Sequence, residues 1–310
     1  MSTVSKAAPK VRTGKPLGQR LKINWQLYLL LLIPVVLTFI YKYIPMYGIQ
    51  IAFRNYKASR GITGSEWVGL EWFERFFTAP TCGRMIRNTI LLSLYSLLWG
   101  FPVPIILSLC INQLRFPRYK RVVQTVLYAP HFISTMIICG MIRIFLSPSG
   151  GLVNLIFGTQ IDFLTEASAF RTIYIVSGIW QDAGWGCIIY LATLSNVDTS
   201  LYEAAKVDGA TVFQRILNVD IPALLPMAIL NLIMSAGSLM NVGFEKVWLL
   251  QTDLNKATSD VIAVYVYQQG IENAKYSYST AVGLFNTAVN LILLIIVNTI
   301  SKKTSEVDFV

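Results

Sequence analysis

The chain has 310 residues, of which 54% are hydrophobic and 14% charged, with a formal net charge of +10. A soluble domain carries roughly a quarter charged residues, so this composition excludes a water-soluble globular protein and indicates an integral membrane protein. The basic residues gather beside apolar runs, as membrane orientation requires, and not on a patch of the kind nucleic-acid binding needs.

Residues 1–22 form a basic tail with Lys6, Lys10, Arg12, Lys15, Arg20 and Lys22, expected to be solvated and cytoplasmic. The apolar stretch behind it continues to Ile44 without a small-residue cleavage site, so it reads as a retained first span and not as a signal peptide. A spanning helix needs roughly 20 mostly apolar residues. Six runs qualify, at about 26–45, 87–111, 122–146, 171–194, 222–244 and 281–300. The predicted fold is therefore an all-α integral membrane protein with six transmembrane helices. Pro34, Pro102, Pro104 and Pro130 fall inside runs, which lipid-embedded helices tolerate where neighbours satisfy the freed carbonyls. Arg143, near an outer helix end, is expected to snorkel.

Lysine and arginine set the expected orientation. The tail carries six, the 112–121 loop carries Arg115, Arg118, Lys120 and Arg121, and Lys302 and Lys303 follow the last run, whereas the 147–170 loop carries none. Both termini are then cytoplasmic, as are the 112–121 and 195–221 loops. The domain reading is a tail (1–22), a first transmembrane helix with its extracellular loop (23–86), a five-helix core (87–300) and a cytoplasmic C-terminal tail (301–310). Four scattered cysteines and a single histidine, His131, give no metal or disulfide pattern, so no cofactor and no metal is expected.

The most informative stretch lies between the fourth and fifth runs, at 198–222. Ser200-Leu201-Tyr202-Glu203 has the form of a capping box, with Asp198 as an alternative cap. Ala204 and Ala205 are strong helix formers of minimal bulk, which lets a partner surface approach closely. Gly209 suits a left-handed helix stop. Thr211-Val212-Phe213-Gln214 repeats the capping pattern to start a second short helix, and Pro222 suits the first turn of the next span. On pattern alone, an amphipathic connector between spans is an equal reading.

The same residues resemble the EAA loop of the membrane subunits of type I ATP-binding-cassette importers. The spacing is Glu203-Ala204-Ala205, three residues, Gly209, nine residues, Val219-x-Ile221-Pro222, against a family pattern ending I-x-L-P. Ile44-Pro45-Met46-Tyr47-Gly48 and Gln124-Thr125-Val126-Leu127-Tyr128-Ala129-Pro130-His131 resemble the polysaccharide and complex-oligosaccharide branch, and Arg87-Asn88-Thr89 the start of the permease core. The resemblance implies a cytoplasmic coupling helix between the fourth and fifth spans, seated in one of two ABC ATPase subunits. It further implies a second, related permease forming a heterodimer, an extracellular solute-binding lipoprotein, a carbohydrate substrate, and a place in the bacterial plasma membrane. Glu203, Ala204, Ala205 and Gly209 are the implied coupling residues, with Asp208 and Arg215 as supporting polar contacts. The chain lacks a G-x-x-x-x-G-K-[ST] phosphate cradle, so it is expected to be no enzyme, with ATP hydrolysis on a partner.

Polar groups within spans mark a candidate solute path. The fourth run offers Trp180, Gln181, Asp182 and Trp185, an aromatic and polar set suited to sugars. The fifth offers Asn231, Ser235, Ser238 and Asn241, and the sixth repeats the four-residue spacing at Asn286 and Asn290. Interhelical hydrogen bonding uses the same residue types and is the competing reading. For His131 a hydrogen-bonded structural role is favoured over proton transfer, since there is no second histidine for a relay. The loop aromatics Trp67, Trp72, Tyr265, Tyr267, Tyr276 and Tyr278 are candidates for meeting a binding protein or anchoring at the interface. The alternative functions are an ion-gradient-driven secondary transporter and an ABC permease for a non-sugar solute.

Overall fold

The computed structural model of the chain describes residues 22, 24–237, 239–240 and 242–304, with side chains described as far as residue 299. It divides into two compact units, Met1–Gln50 and Ile51–Val310. The first holds a helix that is α-helical over Trp25–Thr38, widens to a π-turn over Phe39–Tyr43 and tightens to a 3-10 segment from Ile44. No residue between Trp25 and Tyr43 is buried. An apolar helix exposed all round is suited to lipid and not to water.

Among the described residues, four helices are long and apolar enough to cross a membrane: Trp25–Phe53, Cys82–Asn112, Val212–Gly237 and Tyr276–Thr299. The Ala167–Ser195 helix, 29 residues long, contains the run predicted at 171–194. The span predicted at 122–146 is broken in its middle. Pro117–Phe132 and Thr135–Phe145 meet at a bend of 96°. The chain tightens to a 3-10 turn over Ala129–Phe132, Ile133 is extended, and Ser134 caps the next helix by accepting from the Ile137 amide at 3.4 Å. Pro130 lacks an amide hydrogen to continue the ladder, and serine competes for the helix start. Gln181 satisfies one of the freed groups, donating from Nε2 to the Ile133 carbonyl at 3.2 Å.

The all-helical expectation is corrected by one element. Arg54–Lys57 and Gly61–Trp67 form an antiparallel hairpin in register Arg54↔Trp67 and Asn55↔Glu66. Ser277 Oγ accepts from the Tyr56 amide at 2.9 Å, and Trp72 Nε1 donates to the Arg54 carbonyl at 3.0 Å. The hairpin is thus fastened to the last long helix and to the short helix Glu71–Phe77.

Among the described residues, close helix crossings fall at Gly184, against rigid backbone, and at Gly237, against the movable end of a side chain. A Cβ on Gly184 would lie 1.9 Å from the Leu127 carbonyl oxygen, and one on Gly237 would lie 2.5 Å from Leu294 Cδ1. Leu92, Cys139, Phe170, Val247 and Val264 are among the residues of one buried cluster; Phe76, Met85, Met240, Ile262 and Tyr278 belong to another. Polar knots fix the segment 244–262 between these clusters. Asn88 donates to the Ala257 and Asp260 carbonyls at 3.0 and 3.2 Å while its Oδ1 accepts from Arg171 at 2.9 Å. Thr89 Oγ1 accepts from the Ile262 amide at 3.0 Å. The Asn286 and Asn290 pair serves the same purpose: Asn290 Oδ1 accepts from the Met240 amide at 2.8 Å and Asn286 faces the Met240 carbonyl at 3.5 Å. These are helix-to-loop fastenings.

Candidate functional site

The polar hairpin folds as a helix, a glycine corner and a second helix. The first helix is Thr199–Val207, and its cap is Asp198, whose carboxylate accepts from the Ser200 amide at 2.9 Å. The expected Ser200–Glu203 box is therefore corrected; Glu203 is exposed and makes no side-chain hydrogen bond among the described residues. Asp198 sits one residue before the helix with extended backbone, which leaves its short side chain free to reach the first amides. That amide donation holds the Asp198 carboxyl below the usual carboxylate range. Gly209 takes φ +74°, the left-handed conformation that ends the helix. Thr211 and Gln214 form the expected reciprocal box at 3.3 and 2.7 Å.

Beyond it the structure departs from expectation. Val212–Arg215 does not stop; it continues through a π-turn, Ile216–Asp220, into Ile221–Gly237 as one rod. Pro222 is the second residue of the α-helical segment and so sits in its first turn, as expected, but the rod already runs behind it; Pro226 is the proline inside that helix. The wide turn, in which the Ile221 amide donates to the Ile216 carbonyl, offsets the register so that the proline ring is accommodated.

Glu203, Ala204, Asp208 and Gly209 are exposed, and Ala205 and Arg215 are half-buried. Val207 and Phe213 expose 88% and 68% of their surface beside them. Asp220, which the sequence reading did not single out, is the hub behind this face. It is fully buried. Its carboxylate accepts from Gln113 Nε2 at 2.8 Å, from Asn112 Nδ2 at 3.4 Å, and from the Tyr202 hydroxyl. Burial first, then the adjacent carboxylate, push the Tyr202 hydroxyl up to about 12. One side chain thus ties the exposed helix to the end of Cys82–Asn112 and to the start of the next long helix. Arg215 lies near Tyr202, close enough to offset part of that rise.

Two adjoining cavities, about 720 and 650 Å³, lie among Cys82–Asn112, Ala167–Ser195 and the end of Val212–Gly237. They share Ser96, Pro104 and Tyr174. Gln181 and Asp182 line the larger, Asn231 and Ser235 the smaller. Trp180 and Trp185 line neither. Trp185 instead stacks on His131 with centroids 4.6 Å apart, and His131 Nδ1 meets Asp182 Oδ1 at 3.0 Å. Asn241 and Ser238 lie outside the described residues.

Lys246 also lines the larger cavity, from the short helix Phe244–Leu250, and was missed in the sequence because it follows the fifth apolar run. Only 7% of it is exposed. Burial pushes its ammonium down to about 8, against the opposing influence of Cys139 and Asp182. Arg143, expected to snorkel, instead donates to the Leu249 carbonyl and fastens that same short helix. Among the loop aromatics, Trp72 and Tyr278 are internal: they meet edge to face at 6.3 Å, and the Tyr278 and Tyr265 hydroxyls lie 3.1 Å apart. Trp67 and Tyr276 remain exposed.

Apolar helices around cavities with a few convergent polar groups define a multi-pass membrane permease. Residues 84–306 match the family of binding-protein-dependent transport system inner membrane components, and the chain belongs to that family. It is 42% identical over 311 aligned residues to protein LplB of Bacillus subtilis (strain 168), covering 98% of both chains. It is also 42% identical to the polygalacturonan/rhamnogalacturonan transport system permease protein YteP of the same organism, covering 90% of this chain and 88% of that one. Among solved structures it is similar to a chain of a bacterial ABC transporter involved in import of the acidic polysaccharide alginate, with a TM-score of 0.85 and 38% identity over 93% of this chain and 99% of that one. A second structure of a bacterial alginate ABC transporter, in complex with an alginate pentasaccharide-bound periplasmic protein, matches with a TM-score of 0.85.

Proposed function

We propose that the chain is the permease subunit of an ATP-driven importer and forms half of the pathway for an oligosaccharide or polysaccharide fragment. The observation that carries this reading is the near full-length similarity to YteP, named as a polygalacturonan/rhamnogalacturonan transport permease, and to a chain of a transporter involved in import of the acidic polysaccharide alginate. In this reading six helices cross the inner membrane, both termini are cytoplasmic, and the Thr199–Val207 helix is the coupling helix on the cytoplasmic side. A second permease, two ATPase subunits and an extracellular solute-binding lipoprotein complete the machine. Hydrolysis of ATP belongs to the partners. Glu203, Ala204, Ala205 and Gly209 contact the ATPase, with Asp208 and Arg215 beside them, and exposed Val207 and Phe213 supply an apolar surface of the kind that partner sites present. ATPase closure pulls this helix, and the Asp220 network passes the displacement to the long helices.

A gradient-driven carrier is the second reading, and the His131–Asp182 pair is the observation in its favour. In proteoliposomes holding the assembled transporter, uptake that requires ATP and the ATPase subunits and survives collapse of ion gradients supports the importer. Uptake by this chain alone under a proton gradient supports the carrier and overturns the proposal.

A further inference from the structure

Lys246 is more than nine-tenths buried, yet it enters no ion pair and no hydrogen bond among the described residues. Its Nζ lies 5.1 Å from the centroid of the Tyr174 ring. Gly178 faces it: a Cβ there would lie 3.5 Å from Nζ, in ordinary van der Waals contact, so the helix backbone comes close to the ammonium at this point. Tyr174, Gly178 and Lys246 all line the larger cavity.

A buried cation without a counter-charge is costly, and proteins normally bury charges in pairs. Two carboxylates share the cavity wall, Asp182 and Glu245. Asp182 is turned to His131 at 3.0 Å, and Glu245 is exposed. Neither pairs with Lys246. Asp182 acts on the ammonium from a distance, but no carboxylate of the described residues reaches it, so an anion entering the cavity can supply the charge at hydrogen-bonding distance. Tyr174, held by the Gly243 amide donating to its hydroxyl at 3.2 Å, presents a ring face beside the ammonium. Ring faces of this kind cover the C–H surface of a pyranose.

Resting on the importer reading above, we propose that Lys246 is a substrate-selecting residue: its ammonium binds the carboxylate of a uronic-acid unit as an acidic oligosaccharide passes through the cavity, with Tyr174 against the sugar ring.

The test uses the assembled transporter in proteoliposomes, given galacturonate and mannuronate trimers and, separately, the same trimers with every carboxyl reduced to the alcohol. Wild type takes up at least one acid trimer in preference to its reduced form. Lys246→Gln lowers that acid-to-neutral ratio about tenfold, the order expected when a charge-assisted hydrogen bond is lost, and Lys246→Arg retains most of it. Because the ratio is internal to each preparation, reduced assembly of a variant does not mimic the effect. No acid preference in wild type, or an unchanged ratio in Lys246→Gln, overturns the inference. Uptake that is ATP-driven but indifferent to charge sinks this inference alone; uptake independent of ATP sinks the importer reading.

Discussion

The Tyr202 hydroxyl donates to the buried Asp220 carboxylate, joining the middle of the Thr199–Val207 helix to the last residue of the π-turn that opens the next long helix. Eighteen residues separate the two in sequence. Without this bond the exposed helix hangs on its two ends; with it, the helix moves with the rod behind it.

Removing the hydroxyl in Tyr202→Phe leaves Asp220 buried with fewer donors and is expected to cost about 1–3 kcal/mol. Asp220→Ala removes the shared acceptor from Tyr202, Gln113 and Asn112 at once. Since both changes break the same bond, their effects are expected to be non-additive by about 0.5 kcal/mol or more. Thermal unfolding of the four members of this cycle in detergent measures the coupling, and simple additivity contradicts it. In the assembled transporter, Tyr202→Phe is also expected to raise the ATP hydrolysed per solute moved.

The Gly184 crossing supports a sharper contrast. Gly184→Ala drives a methyl into the Leu127 carbonyl, a backbone atom that yields only if two helices separate. A loss of about 1–3 kcal/mol or more is expected. Gly140→Ala, in the helix Thr135–Phe145 with open space where its Cβ would be, is expected to be neutral or to gain up to about 1 kcal/mol from helix propensity. Melting temperatures of the two variants check the ordering.

Lys246 gives a pH dependence with a definite sign. An ammonium pushed down to about 8 is charged at neutral pH and neutral above that value. Uronate carboxyls ionise at far lower pH, so preference for an acid trimer is expected to fall between roughly pH 7 and 9 as the lysine loses its proton. Asp182 and Cys139 oppose the depression, while Glu245 and Arg143 stand near the same cysteine. Tyr174 faces the ammonium directly. Lys246→Arg is expected to abolish the alkaline loss, because guanidinium stays charged. A fall that persists in Lys246→Arg assigns it to another group.

Local signals with a single solution were readable from residues alone. Gly209 and the Thr211–Gln214 box are of this kind: one needs a missing Cβ, the other a short hydroxyl and a longer amide at fixed spacing. The apolar runs were legible for the same reason, since length and composition decide them. Where two local solutions compete, tertiary context chose. Asp198 captured the cap from Ser200. Pro130 broke a run that looked continuous because Ser134 offered a new start and Gln181 a replacement donor from another helix. Asp220 and Lys246 carried no sequence signal at all: one is a lone acid two residues before a proline and the other a lone base after an apolar run, and their meaning comes from partners on other helices, Tyr202, Asn112 and Gln113 for the one and Tyr174 for the other. Asn286 and Asn290 show the converse, with the spacing of a path lining but the contacts of a fastening.

The central claim is that the hairpin from Asp198 to Pro222 is the seat of a separate ATPase. It is tested most directly by co-purification of the ATPase subunits with the co-expressed permease pair. Wild type is expected to retain them. Glu203→Lys and Gly209→Pro are expected to stay in the membrane with the second permease while losing most of the ATPase. Both variants holding the ATPase as wild type does contradicts the account.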